Sequence, residues 1–90
     1  MVERDRRRIQ TLGRGAATAL RIHEHAVRYV VIRATTAAGV LGLTGPPVYS
    51  AIARLEDIGI LREATGRRRG KLYVYDEYLT LLNEGTTDPV

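Results

Sequence analysis

The chain has 90 residues, 44% hydrophobic and 27% charged, which suits one small globular domain with a single core. It contains no cysteine, so disulfides and thiolate zinc sites are excluded. Its formal charge of +4 is concentrated: setting aside Arg67, Arg68, Arg69 and Lys71 leaves ten basic side chains against ten acidic ones.

The longest uncharged apolar run, Ala37 to Leu43, is far short of the roughly 20 residues of a membrane span. The Arg6–Arg7–Arg8 run is not followed by an apolar block, as a signal peptide would require. A cytoplasmic, bacterial-type protein without membrane contact is the expectation.

In chain order, Ile9, Leu12, Ala16, Ala19, Leu20 and His23 recur in steps of three and four. That period predicts one amphipathic helix over about residues 4 to 28, weakened and open to a kink at Gly13 and Gly15. Residues 29 to 32 are β-branched and aromatic and read as a short strand. Thr35 or Thr36 offers an N-cap for a short helix that Gly42 closes. The next helix is expected to start at Pro47, since Pro46 precedes a proline and is biased towards extended backbone. Val48, Ala51, Ile52, Leu55 and Ile58 form its buried face, and Gly59 ends it.

Residues 60 to 65 and 72 to 75 read as the strands of a hairpin whose tip is Gly66–Arg67–Arg68–Arg69–Gly70. Alternation sets Leu72 and Val74 against Tyr73 and Tyr75. Asp76 caps a closing helix with Tyr78, Leu79 and Leu82 inward and Gly85 at its end, and residues 86 to 90 fray. The sum is a single α+β domain: a winged helix-turn-helix over residues 30 to 85, preceded by an amphipathic helix.

Ser50 is the one serine, and His23 and His25, two apart, point to opposite sides of a helix and cannot share a metal. Asp57, Glu63 and Asp76 suggest no acid–base pair. The expectation is therefore a protein that is not an enzyme, with no cofactor. For double-stranded DNA, Arg67, Arg68, Arg69 and Lys71 would meet phosphates, or form only a solvated turn. Tyr49, Ser50 and Arg54 would approach the major groove, although Glu56 and Asp57 lie beside them and Asp57 competes for Arg54. The stripe Ile9, Leu12, Ala16, Leu20 and His23 is long for so small a domain and suggests a homodimer surface. Tyr73, Tyr75 and Tyr78 suggest packing between wing and closing helix, or a protein contact.

The segments LGLT before the turn, ARLEDIGILREATGRRRGKLYVYDEYL across helix and wing, and the LLNEG tail carry a family resemblance. From about Ile9 to Gly85 the chain resembles the carboxy-terminal winged-helix domain that follows the catalytic core in bacterial Fic-family proteins. Arg21, Ile22, His23 and Glu24 are similar to that family's preceding helix. The Fic catalytic motif, a His-x-Phe followed by a Gly-Asn-Gly-Arg loop, requires a phenylalanine, and this chain has none. The resemblance thus implies an accessory domain without nucleotidyl transfer, with a Fic-type catalytic protein as a partner. Ala34, Ala37 and Gly39 are smaller than that pattern suggests, which predicts looser packing of the first helix of the helix-turn-helix. A regulator that binds DNA and an interaction or dimerisation domain both remain open, because winged helices do either.

Overall fold

The computed structural model describes residues 2–66 and 70–86, the last five by backbone only. Among them are helices α1 (Val2–Gln10), α2 (Ala16–Tyr29), α3 (Ala34–Leu41), α4 (Gly45–Asp57) and α5 (Asp76–Thr86). Strands β1 (Val31–Arg33), β2 (Arg62–Glu63) and β3 (Leu72–Val74) form one antiparallel sheet in the order β1-β3-β2. The run α2-β1-α3-α4-β2-β3 matches the winged-helix arrangement, so the α+β class expected from the sequence holds. No helix among the described residues is long and apolar enough to cross a membrane.

The expected single amino-terminal helix is two helices. Gly13 and Gly15 take φ of 73° and 85°, left-handed values that glycine reaches without a Cβ clash. These turn α1 back against α2 rather than merely kinking one rod. Ile9, Ala19, Ile22 and Ala26 then share a core with Val48, Ala51, Ile52 and Leu55 of α4, all at most 3% exposed.

Two helix starts also differ from expectation. Arg33, not a threonine, caps α3 in extended backbone and makes no side-chain cap bond. Helix α4 begins at Gly45 with both prolines in its first turn and Thr44 as an N-cap without a side-chain bond. First-turn amides have no intrahelical acceptor, so prolines lose nothing there, and burial of Val48 and Ile52 outweighs the bias on Pro46. The alanines expected to loosen α3 have the opposite role: Ala34 and Ala37 are buried, letting α3 approach the core closely. Gly42 caps α3 at φ 67°, as expected.

The hairpin is present, and β1 adds a third strand on the far side of β3, pairing Ile32 with Tyr73. Tyr73 and Tyr75 join the core cluster while Val74 lies on the opposite face, so the expected alternation stands. Both faces of β3 are nonetheless covered, with Val74 only 5% exposed. Asp76 opens α5 and pairs with Arg62 at 3.0 Å, and Gly85 lies within α5 rather than ending it. Tyr75 and Tyr78 stack with ring centroids 5.6 Å apart, which ties β3 to α5. The side chain of Leu82 and residues 87 to 90 lie outside what is described.

Candidate nucleic-acid interface

Helix α4 opens with two prolines in its first turn, and Tyr49 and Ser50 follow them, both exposed. Tyr49 is joined by Arg33 from the end of β1, Ala34 and Thr35 from α3, and Gly70, Lys71 and Tyr73 from the wing. These seven residues line a cleft of about 480 Å³ between helix and wing. Among the described residues its charged side chains, Arg33 and Lys71, are both cationic and solvent-exposed. Tyr73 forms the floor, and burial followed by the nearby Glu56 and Glu63 pushes its phenol pKa up. It therefore stays a neutral donor across the ordinary pH range.

The neck of the wing is held by Glu63, weighed from the sequence only as a candidate acid or base and not as a structural acceptor. Glu63 accepts hydrogen bonds from the backbone N–H of Thr65 at 2.5 Å and of Gly66 at 2.6 Å. The Gly66 bond is the main reason its carboxyl pKa falls below the usual range. Thr65 Oγ1 accepts from Leu72 N–H at 3.4 Å, and Ala64 N–H donates to the Leu72 carbonyl at 2.8 Å. The hairpin is thus closed before its tip begins, and Lys71 leaves it at a fixed place. The signal was present in the sequence: an acceptor two residues before a Thr-Gly pair suits a side-chain-closed turn. Arg67, Arg68 and Arg69, the expected phosphate contacts, lie outside the described residues.

Arg54 is not on the outer face with Tyr49 and Ser50. Its guanidinium donates to the carbonyl of Arg14, and Nη2 donates to the Leu12 carbonyl at 3.4 Å. The exposed face of α4 keeps Ala53, Glu56 and Asp57 beyond Ser50, which is a poor base-reading surface. Arg33, and not Arg54, lines the cleft beside Lys71, and only the folded register of β1 reveals it.

The stripe expected to pair two copies is largely internal. Ile9 and His23 are 0% and 1% exposed, and Leu12 and Leu20 are half-buried against the core, because α1 folds onto α2. Ala16, at the start of α2, is also half-buried. His23 Nε2 lies 3.1 Å from the Tyr75 hydroxyl, which in turn donates to Asp5, only 1% exposed. His25, expected on the exposed side, is 7% exposed and packs on Tyr29 with centroids 4.8 Å apart. Burial lowers the pKa of both histidines.

The chain matches no family model, no curated protein and no solved structure.

Proposed function

We propose that the chain is a non-catalytic winged-helix module that binds duplex DNA, as a small regulator or as the accessory part of a Fic-type system in a bacterial cytoplasm. The observation that carries this reading is the meeting of Arg33, Tyr49 and Lys71 on one cleft between α4 and the wing. A phosphodiester is an anion with hydrogen-bond acceptors, and two cations flanking a phenol match it. Ser50 adds a hydroxyl one residue along the same helix. With Arg54 turned inwards and two acids on α4, the binding is non-specific and salt-sensitive rather than base-reading.

A second reading, a protein interaction domain, is favoured by one observation: Arg54 is engaged at an interhelix turn, leaving Glu56 and Asp57 to dominate the outer α4 face. A titration of generic duplex against salt separates the two. Under the DNA reading, Arg33→Ala and Lys71→Ala each flatten the slope of log affinity against log salt by about 0.9. Arg54→Ala leaves that slope unchanged. If wild type binds no better than the Arg33→Ala and Lys71→Ala double variant at low salt, the interaction reading takes its place.

A further inference from the structure

Strand β1 is an edge of the sheet, and its free side is flanked by apolar side chains. The Tyr75 N–H donates to the Val30 carbonyl at 2.8 Å, and the register sets Ile32 opposite Tyr73. Antiparallel strands alternate the direction of their polar groups, so Val31 points its N–H and C=O away from β3. Tyr29, Val31 and Val40 are 51%, 43% and 62% exposed, three of the five most open large hydrophobic side chains among the described residues. Together with Ile32, Leu72 and His25 they line a groove of about 360 Å³ beside that edge. Single exposed apolar residues need no explanation, but a contiguous set along an unpaired edge does.

Two further features concern what fills it. Among the described residues the groove is lined by one charged side chain, Arg33, and by no acid, and Arg28 lies over the Tyr29 ring at 5.5 Å from its centroid. Two copies meeting edge to edge would bring these arginines towards their own counterparts, whereas an acidic strand would neutralise them. The chain also enters β1 through Val30 at φ 66° and ψ −47°, a conformation that a β-branched residue adopts only at a cost. That turn sets Tyr29 and Val31 on either side of it, both facing solvent.

We propose that the β1 edge is a docking site for an extended segment of another protein in which apolar and acidic residues alternate. The segment adds a fourth strand beside β1, exchanging hydrogen bonds with Val31. Its apolar side chains enter the groove between Tyr29 and Val40, and its carboxylates, on the other face of the added strand, face Arg28 and Arg33. Backbone pairing supplies general affinity, and the groove and the two arginines supply selectivity. Arg33 also lines the cleft on the wing side, so an occupied edge withdraws one cation from that cleft. The proposal does not depend on the DNA reading.

The probes are two fluorescein-labelled octapeptides, one alternating valine with glutamate and one alternating valine with lysine. Fluorescence anisotropy with the full chain is expected to show saturable binding of the glutamate peptide, at least about tenfold tighter than of the lysine peptide. N-methylation of alternate peptide amides abolishes it, and amide resonances of Val31 and Arg33 shift on binding. Val40→Asp, at a position 62% exposed, removes binding of the glutamate peptide with an unchanged circular dichroism spectrum. The Arg28→Glu and Arg33→Glu double variant reverses the preference towards the lysine peptide, a gain that misfolding cannot produce. Lys71→Ala leaves peptide binding unchanged, which separates it from any duplex binding. Equal binding of the two peptides, no binding of either, or a self-associated chain that Val40→Asp dissociates would each overturn the proposal.

Discussion

The Tyr75 hydroxyl gives its hydrogen to Asp5, so the 3.1 Å contact with His23 needs Nε2–H as the donor. His23 Nδ1 is then a bare acceptor, and it finds no hydrogen-bond partner among the described residues. Around this group stand Asp5 with Arg4 and Arg8 at 3.2 and 3.7 Å, Arg6 on α1, Glu24 on α2 and Glu77 on α5. Desolvation is the leading influence and holds the His23 pKa below the ordinary histidine value of 6.5. The sign follows directly. Below about pH 6.5 the unfolded chain takes up a proton that the folded chain resists, so stability is lost as pH falls through that point towards the folded pKa. His25 acts in the same direction, through burial first and then Arg28. The urea midpoint is expected to drop between pH 7.5 and 5.5, and His23→Gln with His25→Asn should flatten that drop. An unaltered pH profile in the double variant would refute the assignment. Tyr75→Phe removes the bridging hydroxyl from both neighbours and is expected to destabilise by about 1–3 kcal/mol at neutral pH.

At the scale of elements, the turn between α1 and α2 is where sequence and structure part most clearly. The two glycines marked a weak point, but a kinked rod and a reversed chain have the same apolar period, and only the positive φ values select the second. The capture of Arg54 was equally hidden, since its acceptors are backbone carbonyls at Leu12 and Arg14, which carry no sequence signal. The α4 face was legible because Val48, Ala51, Ile52 and Leu55 obey one period and contact one core. The wing was legible through its glycines. The partner of β1 was not, because pairing with β3 is a long-range contact that local pattern does not encode. Arg54 therefore belongs to stability. Arg54→Ala should lower it by about 1–2 kcal/mol, which corresponds to a Tm lower by roughly 4–16 °C in a domain of this size. A Cβ at Gly15 would meet Arg54 Nη1 at 3.3 Å in a backbone of φ 85°. Gly15→Ala is thus expected to cost about 1–2 kcal/mol by strain alone. Combined with Arg54→Ala it should cost less than the two separately, because they share one contact. Strict additivity in thermal unfolding would argue against a contact shared by Gly15 and Arg54.

For the whole molecule, the question is how 90 residues cover an apolar stripe on each of two amino-terminal helices. Pairing with a second copy is one answer, and folding α1 onto α2 is the other. The second is what places Ile9 at 0% exposure beside Ile22 and Leu55, with Leu12 and Leu20 half-buried at the margin. Helix α1 is short and charged, so it does not persist alone; its stability comes from this docking and from the Asp5 link to Tyr75. Removing the Ile9 side chain should then act as a core truncation. Ile9→Ala is expected to destabilise by about 2–5 kcal/mol, a large share of the total for a domain of this size. Calorimetry distinguishes this from a subunit interface, because dissociation makes the Tm depend on protein concentration and intramolecular packing does not. Wild type and Ile9→Ala should each show a Tm that is constant over a hundredfold range of concentration. A Tm that climbs with concentration in wild type, and a folded monomer from Ile9→Asp, would return the stripe to the surface and place a second copy across α1.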